Sequence, residues 1–310
     1  MTGFLAWLSR KRFQQRYLTY YLMLLPTITF FIIFNYIPMS GIYYAFTRFS
    51  YTGGLFGSPF VGLDNFKYLF KSGILLRITR NTVLYNIAFI FFSHLLQIIF
   101  AIMISRITGR LFKRLTQSML LFPYFVSFVI LRVLVYNLFN YEIGLVNATL
   151  AELGASPYDF YNKASFWPFI IVFFYLWKNV GYGTVIYLAA ITGIDTELYE
   201  SASIDGAGAV KQIFYITVPL LKPTFVTLFL FSLGSILKGQ FELFYQLIGS
   251  NGNLFTLTDI IDTYVFRSLT FDFDIGRSAA AGVYQSIFGF LLIMSVNGII
   301  KRKAPEYALF

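Results

Sequence analysis

The sequence has no cysteine and one histidine in 310 residues. Disulfides, thiolate metal sites and cysteine nucleophiles are excluded, and a single imidazole leaves little material for histidine-based catalysis or metal binding. Charge is scarce: 12% of residues are Asp, Glu, Lys or Arg, where soluble domains carry about 25%. Acids are scarcer than bases, 14 against 24, which gives a net charge of +10. No Gly-x-x-x-x-Gly-Lys-Ser/Thr phosphate loop occurs, so the chain has no such route to ATP hydrolysis. There is no polar linker between halves, no clear internal repeat and no low-complexity tract.

What is present is apolar surface. Hydrophobic residues make up 57% of the chain and aromatics 21%, with a mean hydropathy of +0.68. A soluble fold cannot hide that much. A membrane-spanning helix needs about 20 mostly apolar residues, and six stretches qualify, near residues 17–46, 81–104, 115–139, 166–191, 224–244 and 279–300. The expected fold class is an all-α polytopic membrane protein of about six transmembrane helices.

The basic residues set the orientation. With the N-terminus inside, thirteen Lys and Arg fall on cytoplasmic pieces and eight on outer ones, a bias that favours N-in and C-in. The surplus charge is then a topology signal and an attraction to anionic membrane lipid, and nucleic acid is not needed to explain it. Residues 1–16 combine Arg10, Lys11, Arg12 and Arg16 with Trp7 and several apolar residues. They read as a cytoplasmic interfacial helix, not as a cleavable signal. Residues 17–80 hold the first span and an outer loop, 81–300 the remaining core, and 301–310 a cytoplasmic tail.

The loop 193–219 stands out because it is acidic on the positive side of the membrane: Asp195, Glu197, Glu200 and Asp205 face only Lys211. Asp195 or Thr196 starts a helix, Asp205-Gly206 turns the chain, and a second helix runs from about Val210 to Thr217, ended by Pro219. Ala202, Gly206, Ala207 and Gly208 keep the corner small. An acidic cytoplasmic loop points to a protein partner, although a solvated connector has the same composition.

Glu200-Ser201-Ala202, three residues, Gly206, nine residues and then Ile216-Thr217-Val218-Pro219 resembles the EAA loop of permease subunits of binding-protein-dependent ABC importers. Ser201 stands where Ala is usual and Val218 where Leu is usual. Leu25-Pro26, the segment from Phe34 to Met39, the segment from Val61 to Phe66 and the segment from Asp259 to Arg267 are similar to the polysaccharide and oligosaccharide branch of the carbohydrate importers. The resemblance implies a type I importer permease fold in the bacterial plasma membrane. It also implies a second homologous permease, two ATPase subunits that hold ATP and Mg, and an extracellular sugar-binding protein. This chain would bind no cofactor and catalyse no reaction. Glu200, Ala202, Asp205, Gly206, Ala207 and Pro219 are the implied ATPase-coupling residues.

Four ionisable residues fall inside predicted spans, where they are costly and mark functional candidates: Arg132, Lys178, Lys238 and Glu242. On a continuous fifth helix, Lys238, Glu242, Tyr245 and Gln246 form one stripe, and Lys238 and Glu242 are spaced to pair. Arg132 and Tyr136 share a face of span three, and Lys178 and Tyr182 one of span four. These eight residues are the expected substrate pathway for an oligosaccharide. Snorkelling to headgroups or locking of helices is the competing role. His94 in span two reads as a structural hydrogen-bonding group. Two other functions are open to the sequence: an ion-gradient sugar carrier, for which Glu242 is the only intramembrane carboxylate, and a membrane enzyme on lipid-linked sugars. The enzyme would use Asp259, Asp262, Asp272 and Asp274 as metal ligands.

Overall fold

A computed structural model describes Tyr17 and residues 19–303. The interfacial segment expected at 1–16 and residues 304–310 of the tail lie outside the described residues. Four helices are long and apolar enough to cross a membrane without a sharp bend: Thr19–Phe46 (span one), Ile74–Ser105 (span two), Ala164–Thr192 (span four) and Ile275–Arg302 (span six). Two bent pairs complete the six. Arg110–Phe125 and Phe128–Phe139 form span three with a 92° bend, and Ala209–Leu220 and Lys222–Leu233 form span five with a 54° bend.

The interruptions have local causes. Proline lacks the amide that continues a helix and crowds the carbonyl four residues before it. Ahead of Pro38 the ladder widens to a π-turn at Ile32–Tyr36 and then tightens into a 3-10 stretch at Ile37–Phe46. Pro123 sits in a 3-10 turn, Phe122–Phe125. The chain then extends, and Ser127 restarts the helix by accepting the Ile130 amide on its side chain at 3.3 Å. The continuous third span expected from hydropathy is therefore broken in its middle.

Span five departs further from expectation. Its helix ends at Leu233, residues 234–240 are turn and irregular chain, and a separate short helix runs Phe241–Ile248. Lys238 and Glu242 thus sit on different elements, and no ion pair joins them. The expected single stripe with a Lys238–Glu242 pair is corrected by the break.

Among the described residues, five helices of eight to ten residues lie between spans: α1 Asp64–Lys71, α2 Leu145–Glu152, α3 Thr196–Ile204, α4 Phe241–Ile248 and α5 Ile261–Thr270. Three apolar cores hold the molecule. One gathers Tyr85, Phe89, Leu131, Trp167, Phe174 and Phe244 around spans two, three and four and α4. A second joins Ala45, Leu69, Ile78, Ile261 and Ala280 where spans one, two and six meet α1 and α5. The third packs Ala101, Ile104, Tyr187 and Leu221 at the α3 end of spans two, four and five. Residues 19–40 of span one are exposed along their whole length, an apolar surface suited to lipid or another subunit.

Candidate functional site: coupling loop and membrane pathway

The loop between spans four and five folds as its residues dictate. The Asp195 carboxylate accepts the Glu197 amide at 3.0 Å and caps α3, and Glu197 in the first turn complements the helix dipole. Gly206 ends α3 with φ of +77°, a left-handed conformation that a Cβ disfavours. The Ala207 amide reaches back to the Ala202 carbonyl at 2.8 Å. Gly208 then opens a helix that runs Ala209–Gln212, widens to a π-turn at Ile213–Thr217 and continues through Val218–Leu220. The helix does not stop before Pro219, as the sequence suggested. Pro219 lies near the start of the next helical turn, and the bend falls at Leu221, because Pro219 and Pro223 each remove an amide on either side of it.

Glu200, Asp205 and Gly206 are exposed, and Ala202 and Ala207 are half-buried. Ile204 is 86% exposed. An apolar side chain among acids, on a protruding helix with a small corner, is a shape for another protein to grip.

On the opposite side of the spans, the second half of span three, span four and α4 bring several candidates together. Lys178 is buried. Its ammonium donates to the Tyr124 carbonyl at 2.7 Å and to the Val126 carbonyl, and it lies 4.9 Å from the centre of the Phe128 ring. It thus satisfies the carbonyls that the span-three break leaves without helical partners. Glu242 lies within electrostatic reach of it. Tyr182 stacks on Tyr124 at 5.0 Å. Tyr136 meets Tyr161 at 5.9 Å. Burial and Tyr136 push the Tyr161 phenol up to about 12 while Arg132 opposes the shift, which places Arg132 in the same group. Tyr245 stacks on Phe241 at 5.3 Å and meets Phe266 edge-on. Gln246 is half-buried on the same helix. Arg132, Tyr136, Tyr182, Lys238 and Glu242 are exposed, and Lys238 stands apart from the rest, at the break.

The Asp259-to-Arg267 segment is a scaffold. Asp259 is fully buried and takes a two-pronged contact from Arg267, at 3.1 and 2.7 Å, with Arg77 at 3.6 Å. Thr263 donates to it as well. Span two holds the same segment through Asn81 on the Asp259 carbonyl and Thr82 on the Ile261 amide. Asp262 accepts the Gly239 amide at 2.6 Å, and Gln285 donates both to it and to the Leu237 carbonyl. These two acids therefore have partners other than a metal, and no group of three His, Asp or Glu placed to hold one occurs among the described residues. His94 meets Tyr187 at 3.0 Å and Ser232 at 3.4 Å, as expected of a structural group.

Sequence reasoning passed over Gln212, Asn81 and Gln285, and counted Arg106 only toward the cytoplasmic charge. Each acts across a long sequence separation, and only a polar residue in an apolar run marked them.

Six helical spans, two of them broken, with an exposed helix-corner-helix on one side, define a transport permease of the ABC importer type. The chain belongs to the family described as the binding-protein-dependent transport system inner membrane component, whose model matches residues 93–304, and it is a multi-pass permease of the bacterial plasma membrane. It is 33% identical over 299 residues to the polygalacturonan/rhamnogalacturonan transport system permease protein YteP of Bacillus subtilis (strain 168), covering 96% of this chain and 91% of that one. It is 30% identical over 290 residues to the sn-glycerol-3-phosphate transport system permease protein UgpA of Escherichia coli O6:K15:H31, covering 92% and 94%. Its fold matches a chain in the crystal structure of a bacterial ABC transporter involved in the import of the acidic polysaccharide alginate. That match has a TM-score of 0.85 and 30% identity, over 95% of this chain and 98% of the other. A second structure of the alginate transporter, in complex with alginate pentasaccharide-bound periplasmic protein, matches with a TM-score of 0.83 at 30% identity, over 94% and 96%.

Proposed function

We propose that this chain is one half of the transmembrane pathway of an ATP-driven oligosaccharide importer. It lies N-in and C-in, pairs with a second homologous permease, receives sugar from an extracellular binding protein, and is driven by two ATPase subunits docked on α3. ATP and Mg belong to those subunits. The observation that carries the reading is the exposed, capped α3 with its corner at Gly206. Glu200, Ala202, Asp205, Gly206, Ala207 and Pro219 serve the coupling. The Lys and Arg bias supports the orientation.

The pathway residues Arg132, Tyr136, Lys178, Tyr182, Lys238, Glu242, Tyr245 and Gln246 line one wall, and the second permease supplies the other. Aromatic rings take the C–H faces of sugars. An acidic sugar fits best, because Arg132 and Lys238 are exposed cations with no ion-pair partner among the described residues. The named cargoes of YteP and of the alginate transporter support the same choice. The test is purification of the native complex with its receptor, followed by uptake in proteoliposomes. A second permease, an ATPase and a sugar-loaded receptor are expected, with ATP-dependent uptake that uronate oligosaccharides inhibit more strongly than neutral ones. Uptake by the single chain without ATP would overturn the reading.

A further inference from the structure

The loop side of the molecule holds one buried amide at the meeting point of three elements. Gln212, in the first segment of span five, donates from Nε2 to Ser203 Oγ on α3 at 2.8 Å and to the Ala207 carbonyl at the corner at 3.2 Å. Its Oε1 accepts Arg106 Nη1 at 3.0 Å, and Arg106 is the residue that closes span two. The Arg106 guanidinium also lies 5.5 Å from the centre of the Tyr199 ring on α3. The Tyr199 hydroxyl in turn meets Thr217 Oγ1 at 3.0 Å, in the π-turn of span five.

These links matter because packing alone does not fix α3. Beneath it lies a cavity of about 310 Å³, lined by Ser105, Arg106, Ile191, Thr196, Tyr199 and Thr217. A helix joined to span five only through the corner at Gly206 to Gly208 would pivot there. A glutamine amide has two donor hydrogens and an accepting oxygen, and at Gln212 both kinds of position are used, toward different elements.

We propose that Gln212 is a positioning residue for transport. It makes α3, the loop end of span two and the first segment of span five one lever. A pull on α3 is then delivered to both spans, up to the bend at Leu221. The inference rests on the reading that α3 receives the ATPase.

The chain has no cysteine, so engineered thiols are unique in it. In the reconstituted complex with receptor and ATPase, Gln212→Leu keeps the side-chain bulk and removes every amide contact. Sugar imported per ATP hydrolysed is expected to fall by about tenfold, within the usual range of a coupling between sites, with ATPase activity largely kept. In the double variant Ser203→Cys/Gln212→Cys, uptake is expected to be low. It should recover when a short bifunctional methanethiosulfonate joins the two thiols, and fall again on reduction. A residue needed only for folding would lower complex yield, ATPase and uptake together, and the cross-link would restore none of them. A wild-type sugar-to-ATP ratio in Gln212→Leu, or abolition of uptake by the cross-link, would overturn the proposal. If the unaltered complex shows no receptor-stimulated ATPase, the proposed function fails instead.

Discussion

The Asp262 carboxylate accepts the backbone amide of Gly239 at 2.6 Å, and so ties α5 to the chain where span five has lost its helix. A Cβ at Gly239 would strike Ile260 and this same carboxylate. The position is glycine because the Ile260 and Asp262 side chains fill the space a Cβ would take, and Lys238 is presented from the neighbouring residue.

Burial pushes Asp262 above the ordinary carboxylate range, against hydrogen bonds from Gly239 and Gln285 and the charge of Lys238. A carboxyl whose folded pKa is raised stabilises the fold most in its protonated state. Its contribution is present at low pH and is lost as pH rises through the raised range. Thermal midpoints of the purified chain in detergent, measured from about pH 4 to about pH 7, should therefore show a falling component that Asp262→Asn flattens. Gly239→Ala should cost about 1–3 kcal/mol by overpacking.

The Asp259–Arg267 contact predicts a different response. Asp259 is fully buried, so removing Arg267 leaves its charge to Arg77 alone, at the longer distance of 3.6 Å. Arg267→Ala is expected to cost about 3–5 kcal/mol, the usual penalty for breaking a buried pair. Arg267→Lys should recover only part, because an ammonium cannot supply the two-pronged fork. Neutralising both partners, Asp259→Asn with Arg267→Met, should be milder than Arg267→Ala alone. Thermal unfolding of the three variants orders them.

Lys178 makes a case where stability and transport separate. Its ammonium is committed to the Tyr124 and Val126 carbonyls at the span-three bend. Lys178→Met leaves those carbonyls unpaired and is expected to lower stability by about 1–3 kcal/mol. Because Lys178 lines the pathway through the bend it holds, a loss of sugar affinity smaller than that of Lys238→Ala is expected beside the fall in stability, and unchanged unfolding would show that the ammonium does not hold those carbonyls.

The spans were legible in the sequence because length and hydropathy alone decide them, and α3 was legible because its cap and corner are local. The break at 234–240 was not. Gly234, Ser235 and Gly239 weaken a helix there, but Ile236 and Leu237 let the stretch read as a continuing span, and what holds the open chain is supplied from afar: Asp262 on the Gly239 amide and Gln285 on the Leu237 carbonyl. The bend of span three had a local signal in Pro123, read past because the flanking residues are uniformly apolar. Gln212 was unreadable for the same reason as Gln285. Its partner Arg106 is 106 residues away.

The break also changes what Lys238 and Glu242 are expected to do. On separate elements and without an ion pair, they should act independently. Lys238→Ala is expected to raise the apparent KM for an acidic oligosaccharide, and Glu242→Ala to change selectivity without compensating it. In a double-variant cycle on uptake, their effects should add within about 0.5 kcal/mol. A coupling energy well above that, or rescue by exchanging the two charges, would show that they pair during transport.

Coupling itself is tested at the corner of the loop. Gly206 has φ of +77° and donates its amide to the Ser203 carbonyl. Proline has no amide and fixes φ near about −65°, so Gly206→Pro removes the turn that aims α3. Glu200 is exposed, so Glu200→Arg reverses a charge on the docking face and leaves the fold alone. Both variants should insert normally, since no span is touched. Both should abolish receptor-stimulated ATPase and sugar uptake in the reconstituted complex, Gly206→Pro by misplacing α3 and Glu200→Arg by repelling its partner. The two causes separate on co-purification. Glu200→Arg should release the ATPase, with retention increasing as salt screens the repulsion over about 10 Å at 0.1 M, whereas Gly206→Pro should show no such salt dependence. Wild-type uptake in either variant would remove α3 from the coupling path.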